Sequence, residues 1–241
     1  MHISVVIPAL NEEKNIAKCL RALASQTVRE RFEVLVVDNG STDATRREAE
    51  RCADIVNVRV IEEKQPGRGV ARATGFGAAK GTIIFSTDAD SMVPPDWINS
   101  YLRQLRDHPE AVAVTGPPCI QDCGPLRNLV FNLTTPYFVY FNQLYFGHPG
   151  LCGFSFAIHA DAYRASGGFS AEDDAYEDLA LACRVAKVGR ILWTSQVRVQ
   201  FSGRRFRHGM LFGWYEYIES FVRKFMLHRK RVMLRAIQET P

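Results

Sequence analysis

The chain reads as a single α/β domain whose central, mostly parallel sheet is flanked by helices, and three observations predict it. Short runs such as Ile3 to Ile7 and Val34 to Val37 are continuously apolar, as expected of strands covered on both faces. Each is followed by a turn or capping sequence and then by apolar residues at helical spacing. The pattern repeats, and strands separated by helices pair in parallel through right-handed crossovers.

The elements follow in order. Ile3 to Ile7 is a strand ended by Pro8, and Asn11-Glu12-Glu13 opens a helix carrying Ile16, Leu20, Leu23 and Ala24 on one side. Val34 to Val37 ends at Asp38, and Asn39-Gly40-Ser41-Thr42-Asp43 is a turn and cap before a second helix. Val56, Val58 and Val60 mark a third strand. The loop Gln65-Pro66-Gly67-Arg68-Gly69 breaks it, and a helix of small residues runs from Val70 to Lys80. Past Pro94-Pro95 a helix from Asp96 presents Trp97, Ile98, Tyr101, Leu102 and Leu105, and Val112 to Val114 is a short strand. Leu129 to Phe146 is rich in Phe and Tyr, which suits either an acceptor surface or the core; an aromatic stripe is more often core, and that reading is preferred. Asp173-Asp174-Ala175-Tyr176-Glu177-Asp178 leads into a helix stopped at Gly189, and a helix N-terminus by itself accounts for the acids.

The central run Gly81 to Ser86 stops at Asp88-Ala89-Asp90. Ligands of open α/β sheets bind beyond the carboxyl ends of strands, and extended backbone would point Asp88 and Asp90 to the same side. Two adjacent carboxylates call for a cation, and Mg²⁺ or Mn²⁺ shared with nucleotide phosphates fits them. The motif is short and alone weak; its place after a buried strand gives it weight. A dinucleotide fold is disfavoured, because Pro8-Ala9-Leu10-Asn11-Glu12-Glu13 stands where Gly-x-Gly-x-x-Gly belongs and Arg72 occupies the third glycine position after Gly67 and Gly69. A P-loop is absent, since no Gly-Lys-Ser/Thr occurs.

Four ordered motifs now carry a resemblance. Val5-Val6-Ile7-Pro8-Ala9-Leu10-Asn11-Glu12-Glu13, Val36-Val37-Asp38-Asn39-Gly40-Ser41-Thr42-Asp43, Gly69-x-Ala71-Arg72-Ala73-x-Gly75 and Asp88-Ala89-Asp90 resemble those of family 2 glycosyltransferases. The resemblance implies the GT-A, Rossmann-like fold and a nucleotide-diphosphate-sugar donor. It places Pro8, Asn11, Glu12, Asp38, Gly69, Arg72, Asp88, Ala89 and Asp90 around that donor, with Asp90 and Asp88 holding divalent Mn or Mg. Arg68 and Arg72 gain a job at the donor phosphates, with solvated surface arginines as the alternative. Gly153 to Ile158 is similar to the family's strand facing the donor sugar. Glu177-Asp178, the latter 88 positions after Asp90, resembles the pair whose aspartate is the general base of inverting members; the choice between Glu177 and Asp178 stays open, as does a retaining outcome. A non-catalytic nucleotide-sugar-binding module and a sugar nucleotidyltransferase are the alternatives. The latter calls for a glycine-rich basic loop after the first strand, which is missing.

Residues 1–95 are expected to form the nucleotide-sugar half, 96–202 the acceptor half of the same domain, and 203–241 a basic amphipathic C-terminal segment. From Gly203 to Arg235 nine Lys/Arg stand against two Glu within a chain of net charge +4. Leu211, Trp214, Tyr215, Ile218, Phe221, Val222 and Phe225 give that segment an apolar helical face. An anionic membrane surface and an acceptor glycan or lipid are the expected partners, and nucleic acid is not. Arg204 and Arg205, with Arg68 and Gly153, are candidate phosphate or acceptor contacts. No run reaches membrane-span length and no leader is evident, so a cytoplasmic protein, peripheral on the inner face of the membrane, is expected. The six dispersed cysteines read as reduced packing thiols rather than as a disulfide scaffold or half of a zinc site.

Overall fold

The computed structural model describes residues 2–206 except 172, 174 and 175, together with Tyr215; Phe138 and Arg205 are described by backbone alone. The first part alternates as expected: β1 (Ile3–Ala9), α1 (Ile16–Ala24), β2 (Phe32–Asp38), α2 (Thr45–Glu50), β3 (Val58–Glu62), α3 (Arg68–Ala78) and β4 (Ile83–Ser86). The second part adds α4 (Trp97–Asp107), β5 (Ala111–Thr115), β6 (Pro118–Cys119), α5 (Pro125–Phe146), β7 (Phe156–His159), α6 (Ala160–Ala165), α7 (Glu177–Val185), β8 (Arg190–Trp193) and β9 (Val199–Gln200). A 3₁₀ turn follows at Arg204–Phe206.

The main sheet has the order β3-β2-β1-β4-β7-β5-β8. β1 to β4 are parallel, with Val5 opposite both Val34 and Phe85. β7 is inserted antiparallel between β4 and β5, and β8 returns parallel to β5. Alternate residues of the buried strands feed two cores. Val5, Ile7, Val34 and Val36 pack with Leu20, Leu23, Trp97 and Tyr101 on one face; Val6, Leu35 and Val37 pack with Phe76, Leu181 and Val185 on the other. α3 lies so close to the sheet that a Cβ on Gly75 would sit 2.4 Å from Val6 Cγ1, which explains the small residues of that helix.

Three expectations are corrected. β1 continues through Pro8, which pairs with Val37; the ladder to β4 has ended at Val6, so a residue without an N–H is tolerated there. β4 stops at Ser86, so Asp88 and Asp90 lie in a turn closed by the Ser91 N–H on the Asp88 carbonyl (3.0 Å), and strand alternation does not align them. The sheet is mostly parallel, as expected, with β7 its antiparallel member. The aromatic stretch is one helix, α5, and most of its large side chains are exposed rather than core: Phe131, Thr135 and Asn142 are buried, while Leu133, Tyr137, Tyr140 and Leu144 face outward. The predicted C-terminal apolar helix lies outside the described residues except for Tyr215. Among the described residues no helix is long and apolar enough to cross a membrane.

Candidate active site

The carboxyl ends of β1, β2 and β4 open onto a cavity of about 940 Å³. Its floor is set by two loops laced together. The Asn11 N–H donates to Ser41 Oγ (3.0 Å), the Thr42 N–H to Asn11 Oδ1 (2.9 Å), and the Glu12 N–H to Thr45 Oγ1 (2.7 Å). Asn11 adopts φ +54°, which Asn tolerates and most residues do not. Asn39 pins the next loop: its Nδ2 donates to the Gln65 carbonyl (2.7 Å) and its Oδ1 accepts from the Gly67 N–H (2.9 Å). Asp38 Oδ1 accepts from the Ser41 N–H (3.1 Å), closing the turn after β2.

Charge is concentrated on the walls. Glu12, Asp88, Asp90, Glu177 and Asp178 face Arg68, Arg72 and Arg204, five acids against three bases. Arg72 is 1% exposed and bridges elements far apart in the chain. One Nη binds Asp88 Oδ1 (2.5 Å), the other binds Glu177 Oε1, and Nε donates to Ser86 Oγ (3.3 Å). Ser86 Oγ donates in turn to the Gly153 carbonyl (2.8 Å), and a Cβ on Gly153 would lie 2.5 Å from Arg72 Nη2, so a glycine is required for the guanidinium to sit there. The Gly153 N–H donates to Asp178 Oδ2 (2.8 Å), and the Leu179 N–H to Asp178 Oδ1 (2.8 Å). Burial pushes the Glu177 carboxyl above its usual range against the pull of Arg72. Tyr176, just before it, is held at φ +59°; sparsely populated backbone of this kind is stored at functional sites.

On the opposite wall Arg204 spans Glu12 Oε1 (2.6 Å) and Asp90 Oδ2 (3.3 Å). Asp90 is nonetheless pushed up to about 6, first by burial and then by the neighbouring charge of Asp88, with Arg204 opposing. Thr87 Oγ1 and Ser91 Oγ, flanking the Asp88-Ala89-Asp90 turn, are buried with no hydrogen-bond partner among the described residues. Buried hydroxyls are ordinarily hydrogen-bonded, so the pair stands out beside the turn.

The structure brings Pro8, Glu12, Arg68, Arg72, Asp88, Ala89, Asp90, Gly153, Glu177, Asp178 and Arg204 to one cavity. Asn11, Asp38 and Gly69 do not line it: the first two brace loops, and Gly69 packs under the acidic loop, where its Cβ would meet the Asp173 carbonyl at 3.2 Å. Arg72, read from sequence as a phosphate contact, has two carboxylate partners instead. The Arg205 side chain lies outside what is described. Sequence reasoning missed the contribution of α5, whose Phe131, Thr135, Val139 and Asn142 line the cavity, although the aromatic run marked that helix as one of two things.

Residues 4–167 match the family model described as glycosyl transferase family 2, and the chain belongs to that family. It is similar to glycosyltransferase AglE of Haloferax volcanii, 41% identical over 99 residues that make up 40% of this chain and 33% of the relative. It is also similar to the undecaprenyl-phosphate 4-deoxy-4-formamido-L-arabinose transferase of Pseudomonas fluorescens, 36% identical over 40% of this chain and 30% of the relative. The matches thus span about a third of the length of these curated relatives. Among solved structures, the mannosyltransferase PcManGT of Pyrobaculum calidifontis, in complex with GDP-Man and Mn²⁺, superposes with a TM-score of 0.66 over 90% of this chain and 64% of that one, at 24% identity. The fold is therefore the GT-A arrangement.

Proposed function

We propose that this chain moves a sugar from a nucleotide-diphosphate-sugar to an acceptor hydroxyl or phosphate, in a metal-dependent reaction that inverts the anomeric centre. The observation that carries this reading is the presence in one cavity of the Asp88-Ala89-Asp90 turn and of Asp178, groups 88 positions apart that meet only through the fold. Pro8 and Glu12 belong to the nucleoside end, with Asp38 bracing the turn after β2, in a donor half of residues 1–95; residues 96–202 form the acceptor half, and 203–241 a basic appendage.

The donor set suits a divalent cation. Asp90 is desolvated and crowded by like charge, and the cavity carries two more acids than bases, so a dication relieves both. Among the described residues no group of three or more His, Cys, Asp or Glu side chains is arranged to hold a metal unaided. That suits Mg²⁺ or Mn²⁺, which take one or two carboxylates and complete their shell with water and substrate phosphates. Asp90, with Asp88, would hold the ion, which when bound offsets charge on the departing diphosphate. Arg68 and Arg204, which line the same cavity, are the guanidiniums proposed to meet the phosphates, while Arg72 is buried against Asp88 and Glu177.

Asp178 takes the acceptor proton. It is less buried than Glu177, and the Gly153 and Leu179 N–H groups fix its carboxylate plane. A base so placed contributes roughly 10²- to 10⁴-fold. Glu177 acts through Arg72, holding the start of α7 against the end of β4. The name of the Pseudomonas relative, an undecaprenyl-phosphate transferase, supports a lipid-linked acceptor, and the basic residues after Gly203 support a site at an anionic membrane on its cytoplasmic face. Nucleotide release from nucleotide-sugars, followed with and without Mn²⁺, tests the reading: Asp90→Asn should abolish it, and full activity in excess chelator would overturn the metal dependence.

A further inference from the structure

We propose that the outward face of α5 is a docking surface for a lipid bilayer. α5 is amphipathic in the inverted sense. Its inner side presents Thr135 and Asn142 with Phe131, all lining the cavity, whereas Leu126, Leu129, Leu133, Tyr137, Tyr140 and Leu144 form one file on the outside, each 63–73% exposed. Steps of three and four keep that file on one face of the helix, and 18 residues carry it over roughly 27 Å. Four leucines and two tyrosines in an unbroken exposed row form a contiguous patch of the kind that marks an interaction surface.

Three observations select a bilayer as the occupant. Arg127 is the only charged residue from Pro125 to Phe146, so the file offers no carboxylate to repel an anionic leaflet and no alternating charges to set register against a protein partner. Two tyrosines sit among the leucines, and the phenol, apolar with one polar tip, suits the headgroup boundary. The basic segment begins beside this helix: Phe206 packs edge-on against Phe131 of α5 (4.9 Å between centroids), and nine Lys/Arg against two Glu run from Gly203 to Arg235. Because the same helix walls the cavity, docking its outer face brings the cavity to the lipid surface. In that one respect the inference rests on a lipid-linked acceptor; the docking itself does not.

Vesicle flotation of the full chain tests it without turnover, using phosphatidylcholine vesicles with and without phosphatidylglycerol, at low and high salt. The full chain should float with the mixed vesicles, and Leu133→Asp/Tyr140→Asp should lower the bound fraction by about tenfold or more while melting and donor-induced stabilisation stay unchanged. A second pair at the helix ends, Leu126→Gln/Leu144→Gln, should weaken flotation in the same direction. Flotation of both double variants at the full-chain level overturns the proposal. So does a full chain that stays at the bottom of the gradient and elutes as a dimer that the Asp variant dissociates, since the occupant is then a second copy. Loss of folding in both double variants also overturns it, because the face is then covered by the chain's own later residues. Loss of donor binding in the wild-type protein with flotation intact would count against the transferase reading alone.

Discussion

Asp90→Asn should stabilise this protein at neutral pH while abolishing the metal-dependent transfer proposed for it. The Asp90 carboxyl is pushed from its ordinary 3.8 up to about 6, by burial and by Asp88. A group that titrates about two pH units higher in the folded than in the unfolded chain costs about 3 kcal/mol of stability once it is ionised. Asparagine has nearly the same shape and no charge to desolvate. The opposing pull of Arg204, which keeps Glu12 at 2.6 Å, is already contained in that shift. The gain is about 3 kcal/mol, or roughly 6 to 12 °C in melting temperature for a chain of this size. The sign follows from linkage. Below 3.8 the wild-type carboxyl is protonated in both states and the two proteins melt together; as pH rises through about 6 the wild type loses the stability that the protonated group contributed, and the gap opens and then stays constant. Calorimetric melts in chelator from pH 4 to pH 8 read this directly. A variant less stable than wild type at pH 8, or a gap that does not change with pH, refutes the argument.

Other perturbations address the remaining walls. Asp178→Asn should lower turnover by roughly a hundredfold or more with donor affinity nearly unchanged, measured by steady-state rates beside calorimetric donor titration; if Glu177→Gln is the crippling change instead, the base is the neighbour. Arg72→Met should cost about 3 to 5 kcal/mol in urea denaturation at pH 8, because Asp88 and Glu177 lose their shared counter-charge in a site where Arg72 is fully buried; a cost under about 1 kcal/mol would show that the pair is not coupled to folding. Gly153→Ala should destabilise by about 1 to 3 kcal/mol, since the added Cβ would lie 2.5 Å from Arg72 Nη2; an unchanged denaturation midpoint would mean that the guanidinium yields freely. Truncation after Gly209 should reduce flotation with anionic vesicles at low salt without lowering the melting temperature, and equal flotation would remove the basic segment from membrane attachment.

The parts of the fold that could be read in advance are those where local pattern and final packing agree. The continuous apolar runs of β1 and β2 are buried on both faces, and every apolar residue expected inside α4, from Trp97 to Leu105, is in the core. Where tertiary context decides, the sequence is silent. Nothing within Phe156–His159 encodes that this strand enters antiparallel between β4 and β5, and β6 and β9 are two residues each. The helical period of α5 is present in its residues, but a period does not say which side turns inward. Here Thr135 and Asn142 went in and the leucines stayed out, the reverse of what burial of apolar surface alone favours. In the site, the two acidic clusters were visible as motifs. The partner of Arg72 was not, because Glu177 stands 105 positions away and only the approach of α7 to β4 brings them together. The convergence of Asp88 and Asp90 was expected for a wrong reason: a turn, not strand alternation, directs both to the cavity.

The most direct test is a thermal-shift screen of nucleotide-diphosphate-sugars against the wild-type chain and Asp90→Asn, each with Mn²⁺ and with chelator. A ligand at 100 times its dissociation constant adds about 2.7 kcal/mol, roughly 5 to 11 °C here. At least one such donor should raise the wild-type melting temperature by that much in Mn²⁺, markedly less in chelator, and least in Asp90→Asn. If no nucleotide-sugar shifts the wild type, or if the shift is the same in chelator and in the variant, the cavity is not the metal-assisted donor site described here.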